Sequence, residues 1–377
     1  MGGIRACRGL QTGGLFRTLS QKQRKGAVMS EGKYGFAIVG TGLIAQFHAR
    51  AIRELPNARL VAVCSREAAR AAAFAAEFGC EAFGTLDAML AHPGVAVVVI
   101  ATPSGAHMEA AVAAARAGKH VLCEKPLEVT LPRLDAMIAA HRAAGTQLGC
   151  TFQIRYTPAL QPIRDALREG RFGTLTSAGV YVPWWRSDDY YGGSSWHGTQ
   201  SLDGGGALMN QAIHMIDLLC DLLPPVESVS AFLSSAGHPG IETEDAATVA
   251  LRFQGGAVGM IYGTTSSWPG QPKRLEVTGT RGTAILVDDR LALFEFRDKH
   301  PGDAEALALY GSGRAAQGAS EPGAMTHALH AACFRDFLAA LESGTPFRIS
   351  GESARRSVAL IRAIYDAAAT GARVTPA

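Results

Sequence analysis

A chain of 377 residues, 47% of them hydrophobic, can bury a sizeable core and is long enough for two or three domains. Its formal net charge of +3 rests on the first 28 residues, where Arg5, Arg8, Arg17, Lys22, Arg24 and Lys25 stand without an acidic side chain. Taking these six from 36 leaves 30 basic side chains against 33 acidic ones, and the charge argument for a nucleic-acid partner disappears. Seven scattered cysteines (Cys7, Cys64, Cys80, Cys123, Cys150, Cys220, Cys333) form no C-x-x-C pair. That argues against disulfides and zinc, so a reducing, cytoplasmic setting without a metal is expected. The longest apolar run, Val95 to Ala101, is too short to span a bilayer, and no signal-peptide core follows the basic start.

Residues 1–30 are expected to be a basic tail: disordered, an organelle presequence, or, as we read it, the product of a start codon assigned too early, with Met29-Ser30-Glu31 the beginning. Beyond the tail, Phe36-Ala37-Ile38-Val39 reads as a strand that runs into Gly40-Thr41-Gly42-Leu43-Ile44-Ala45 and then a helical pattern. A G-x-G-x-x-G/A turn in that setting suits a dinucleotide pyrophosphate, held by Gly40, Gly42, Leu43 and Ile44, with Ala45 in place of the third glycine. The next strand ends Cys64-Ser65-Arg66. A hydroxyl and a guanidinium suit a 2′-phosphate better than a free ribose hydroxyl, so NADP(H) is expected over NAD(H), although Glu67 stands close by. Strands and helices keep alternating to Phe152, which predicts a doubly wound parallel sheet over residues 31–152.

Within that alternation His120-Val121-Leu122-Cys123 delivers Glu124, Lys125 and Pro126 at the carboxyl end of a strand, where open α/β sheets bind their ligands. Lys125 there is either a group that polarises a substrate hydroxyl or a surface lysine paired with Glu124, and the Lys125–Pro126 bond has the option of being cis. After Phe152 the pattern changes. An aromatic loop (Trp184, Trp185, Tyr190, Tyr191, Trp196, with Arg186 and His197) offers flat faces and polar donors suited to a sugar, or else forms an interface or an apolar plug.

Asp203-Gly204-Gly205-Gly206 then opens a predicted helix, Ala207 to Leu223. Asn210, His214, Asp217 and Asp221 line one stripe of it, facing a cavity or capping a buried network. His214 can take up a proton near neutral pH, and the glycine run would let a ligand approach. Successive strands from Val229 to Phe296 predict an α+β domain with a large, mostly antiparallel open sheet over residues 153–377. Residues 300–323 read as a mobile loop, and two helices finish the chain, the last with the option of packing back on the first domain.

Taken together, these motifs resemble the Gfo/Idh/MocA oxidoreductases. The resemblance runs from about Tyr34 to Val374. It is carried by the glycine turn with His48, Thr102-Pro103-Ser104 with His107, Gly118 through Pro126, Arg155-Tyr156, the triple-glycine helix, and His327 to Phe337. It implies Lys125 and His214 as the catalytic pair, a cis Lys125–Pro126 bond, cofactor contacts from Thr102, Pro103, His107, Glu124 and Lys125, and a homodimer or homotetramer. It also implies hydride transfer between a nicotinamide and a secondary alcohol or ketone of a sugar, nucleotide sugar or cyclic polyol. Arg155, Tyr156, Trp185, Arg186, Asn210 and Asp217 are the expected substrate residues.

One departure stands out. Many members carry aspartate where this chain has Asn210, which cannot take a proton, and Asp217 is expected to orient the His214 ring instead. The alternatives are a nucleotide-binding sensor of the same fold and a reductase of a non-sugar carbonyl or imine.

Overall fold

The computed structural model describes residues 34–311 and 327–377, so the basic tail and the second half of the segment read as a mobile loop lie outside the described residues. Six strands form the first sheet: β1 (Tyr34–Val39), β2 (Ala58–Cys64), β3 (Glu81–Phe83), β4 (Val97–Ile100), β5 (His120–Cys123) and β6 (Leu148–Cys150). Their order is β3-β2-β1-β4-β5-β6 and every pairing is parallel, as the apolar strands required. All of β4 is buried between helical layers. The direction of strand succession reverses between β1 and β4, which opens a crevice at their carboxyl ends. Gly40 sits there at φ +109°, where a Cβ would meet the carbonyl oxygen of Ala101 at 2.4 Å, so only glycine lets the two strand ends close up.

A second sheet holds β7 (Leu175–Pro183), β8 (Val226–Ser234), β9 (Ala246–Phe253), β10 (Val258–Thr264), β11 (Arg274–Gly279), β12 (Gly282–Val287) and β13 (Arg290–Phe296). Its order is β13-β12-β11-β7-β10-β9-β8, antiparallel except where β7 meets β10. Val180, Val249, Leu251, Ile261, Leu275 and Val277 form its buried face.

Two local differences from the sequence reading have physical causes. The expected single helix after the glycines is a π-helical stretch, Ala207–Ala212, followed by an α-helix, Ile213–Leu222. Such π segments widen a helix by one residue per turn and concentrate at functional sites. Inside the expected loop beyond 300, Pro301–Tyr310 is a helix, started by a capping box in which His300 and Asp303 satisfy each other's end groups. The helices Ala328–Ser343 and Gly351–Thr370 reach the first domain: Phe334 lies 5.7 Å from Phe36 of β1, and the Cys150 N–H of β6 donates to Ile349.

Candidate active site

The helix Leu43–Arg53 starts at Gly42 with no side-chain cap and no acidic residue in its first turn, which leaves its leading N–H groups for an anion. A Cβ on Gly42 would meet nothing within 4 Å, and Leu43 is 55% exposed beside it. An uncapped helix start with open space before it fits a dinucleotide pyrophosphate. At the end of β2, the Ser65 hydroxyl accepts the Glu67 N–H at 3.2 Å and Glu67 pairs with Arg70 at 3.1 Å. Arg66 is exposed, without an ion-pair partner among the described residues.

His107 was expected to touch the cofactor, yet it is wholly buried. Its ring nitrogens lie 3.0 Å from the carbonyl oxygens of Thr102 and Pro126, so it ties the end of β4 to the end of β5. Glu124 is also enclosed: Oε1 lies 2.8 Å from His48 Nε2 and accepts from Thr151 Oγ1 at 2.8 Å, while Oε2 accepts the Lys125 N–H at 3.1 Å. Burial acts to raise this carboxyl, but the His48 hydrogen bond and charge outweigh it and hold Glu124 below the ordinary carboxylate range. Its visible work is to fix the backbone of Lys125, whose bond to Pro126 is cis.

Lys125 Nζ donates to the backbone oxygen of Asn210 at 2.7 Å and lies 3.5 Å from its Oδ1, which joins the first domain to the π-helical stretch. Burial pulls this ammonium below the ordinary lysine range, while the charges of Glu124 and Asp203 oppose the fall. His214, one turn further along, feels the same cation. Burial and then Lys125 push it well below the usual imidazole range, so the ring is neutral. Its Nδ1 is buried without a hydrogen-bond partner among the described residues, and Phe152 stands edge-on at 5.8 Å.

Asp217 does not orient that ring. Both its oxygens are taken by Arg155, Nε to Oδ2 at 2.6 Å and Nη2 to Oδ1 at 2.7 Å, and Arg155 also reaches Asp221 and Ser353. Burial pushes the Asp217 carboxyl up to about 6 against the pull of Arg155. Tyr156 donates to Asp336 at 2.7 Å and lies under Arg348. Arg155, Tyr156 and Asp217, expected against substrate, thus form a buried joint with the last two helices.

The glycine run has a different occupant too. A Cβ on Gly205 would meet Tyr365 Oη at 1.9 Å, so the space expected for a ligand is filled by the last helix. Glu244 caps the helix start, accepting from the N–H groups of Gly206 and Leu208 and from Tyr365 Oη. Neither Glu244 nor Tyr365 carries a sequence signal. Asp203, visible as the acid before the glycines, was also missed as part of the site.

A cavity of about 490 Å³ is lined by Trp185, Arg186, Asp188, Asp189, His238 and Ser266. Arg186 donates to Gln211 Oε1 at 2.8 Å, and Gln211 donates to Tyr190 Oη at 2.9 Å. Much of the aromatic loop packs on itself, His197 stacking on Tyr190 at 4.2 Å, but Trp185 turns toward the 72%-exposed Trp268 at the cavity's edge. Neither Lys125 nor His214 lines this cavity, which is tied to the π-helical stretch through the bond from Arg186 to Gln211.

The chain is similar to known proteins in sequence and in fold. Residues 34–152 match an oxidoreductase family with an NAD-binding Rossmann fold, and residues 160–285 match the GFO/IDH/MocA C-terminal domain. The chain is 32% identical to a 1,5-anhydro-D-fructose reductase of Ensifer adhaerens, over 66% of this chain and 74% of that one. It is 30% identical to an inositol 2-dehydrogenase of Rhizobium meliloti, over 68% and 76%. Among solved structures, the WlbA dehydrogenase of Bordetella pertussis in complex with NADH and UDP-GlcNAcA is similar at 32% identity and a TM-score of 0.81, covering 91% of this chain and 98% of the other.

If Asp217 serves the joint and not the substrate, Asp217→Ala lowers unfolding stability by about 3–5 kcal/mol through the stranded Arg155 charge. Denaturant titration checks this, and KM measured on the folded fraction should stay where it was.

Proposed function

The chain belongs to the Gfo/Idh/MocA oxidoreductase family, and from that premise we propose that it moves a hydride between a nicotinamide cofactor and a carbinol carbon of a sugar, nucleotide sugar or cyclic polyol. The observation that carries this reading is the contact between Lys125 and Asn210 beside a neutral His214. When bound, the nicotinamide supplies the hydride acceptor or donor. The chain's own groups do the rest. Lys125 holds and polarises the reacting oxygen, and His214 takes the hydroxyl proton on a ring nitrogen during oxidation and returns it during reduction. Asn210 steadies Lys125. Trp185 and Arg186 face the sugar-sized cavity, and Gly40, Gly42, Leu43 and Ile44 hold the pyrophosphate, with Thr102 and Pro103 closing the crevice.

Lys125→Met should lower kcat by roughly 10²- to 10⁴-fold while NADH binding, followed by fluorescence, is retained. The assay panel pairs NADH and NADPH in turn with 1,5-anhydro-D-fructose, and NAD⁺ and NADP⁺ in turn with inositol and with UDP-GlcNAcA. Full activity of this variant on every accepted compound would refute the role, and cofactor binding without turnover across the panel would favour a sensor.

We further propose a preference for NADP(H), because Glu67 is engaged by Arg70 and the exposed Arg66 is available to a 2′-phosphate. Arg66→Ala should then weaken NADPH binding roughly tenfold and leave NADH binding unchanged, by titration of each. Equal loss for both cofactors would contradict it.

The outer face of the second sheet supports a homo-oligomer. One cross-strand row there runs Phe232, Thr248, Tyr262, Tyr181, and Phe232 is 84% exposed. A second copy would cover it. Phe232→Glu should convert a dimer or tetramer into a smaller species in sedimentation velocity; a wild-type chain that sediments as a monomer would remove the idea. We also propose a cytoplasmic setting, from the scattered, unpatterned cysteines of the sequence.

A further inference from the structure

Asp203 is 1% exposed and lies where the aromatic loop runs into the glycines. Its Oδ2 accepts the Gly198 N–H at 2.8 Å, and its Oδ1 accepts Asn210 Nδ2 at 2.7 Å. An ionised carboxylate only accepts, so the Asn210 amide must turn its NH₂ toward Asp203 and its carbonyl oxygen the other way. That oxygen then faces two donors, Lys125 Nζ at 3.5 Å and Gln211 Nε2 at 3.3 Å. A chain of orientation runs from carboxylate to amide to ammonium.

Given that Lys125 is the group that polarises the reacting oxygen, we propose that Asp203 is a positioning residue for this reaction, holding the Asn210 amide with its carbonyl oxygen toward Lys125 and supplying a negative charge from the loop. Two carboxylates, Glu124 and Asp203, act on Lys125 to favour its charge, while Arg186 opposes it and His197 and His214 feel it; Cys150 beside it is a neutral thiol, raised by burial. Around Asp203 itself stand Lys125, Glu244, Tyr190, Tyr191 and Tyr365, from four separate parts of the chain. Burial pushes Asp203 up to about 7, with Gly198, Lys125 and Asn210 pulling it down, so near neutral pH its proton and the Lys125 charge are coupled.

Asp203→Asn keeps the shape but reverses the pattern. The new amide offers its carbonyl to the Gly198 N–H and its NH₂ to Asn210, which must then rotate and present NH₂ to the Lys125 ammonium. The exchange Asp203→Asn with Asn210→Asp returns the carboxylate, now on the helix and facing Lys125. The test follows Lys125 in full-length protein labelled with ¹³C-lysine, its signal identified by loss in Lys125→Met. Asp203→Asn should lower the Lys125 titration midpoint by about one pH unit or more, and the double exchange should bring it back. With the panel compound that turns over, kcat of Asp203→Asn should fall roughly 10- to 100-fold, with its alkaline limb moved to lower pH and KM little changed.

An unchanged Lys125 titration in Asp203→Asn overturns the proposal. If that variant folds poorly, the double exchange still decides, since a depressed Lys125 titration there overturns it equally. The underlying reading fails separately, through an active Lys125→Met.

Discussion

An ammonium at the end of a parallel strand, held by a carbonyl from another domain, is the contact on which this protein turns. Lys125 Nζ and the Asn210 carbonyl meet at 2.7 Å across 85 positions of sequence. A lysine taken this far from water keeps its charge only if its surroundings replace the lost hydration. They do so with the Asn210 carbonyl and the carboxylates of Glu124 and Asp203. Much else in the structure serves that arrangement. His48 and Thr151 lock Glu124, Glu244 and Tyr365 fix the start of the π-helical stretch, and His107 binds the ends of β4 and β5 together.

The same contact explains how a cation and a base coexist. Burial lowers the affinity of His214 for a proton, and Lys125 lowers it further, so the imidazole stays neutral, as the proposed role of base requires. Two titratable groups driven to opposite charge states by a shared environment are the pattern expected of an acid–base pair. Arg155 and Asp217 follow another logic. They satisfy each other two-pronged in the interior, which couples the helix Ile213–Leu222 to the last helix through Ser353. Rigidity there lets His214 hold its place without an orienting partner of its own.

What could be read beforehand was what depends on local pattern. Continuous apolar strands before Gly40 and before Glu124 gave the parallel sheet and the position of Lys125, because strand direction alone puts both at one edge. Pairings set by tertiary packing were hidden. The stripe of Asn210, His214, Asp217 and Asp221 read as one unit, but the π-helical stretch and the arrival of Arg155 divide it between the proposed reaction centre and a structural joint. The glycine run read as an approach for ligand because nothing in sequence shows Tyr365, some 160 positions later, filling the space. Asp203 was in plain view, yet its role appears only once Gly198 and Asn210 are seen on its two oxygens.

The most direct measurement is a crystal structure of the full chain with oxidised cofactor and an alcohol from the active panel. The account predicts Lys125 Nζ and a ring nitrogen of His214 both within about 3.2 Å of one substrate oxygen, whose carbon faces the nicotinamide. A substrate oxygen touching neither group, or a nicotinamide seated away from Lys125, would contradict it.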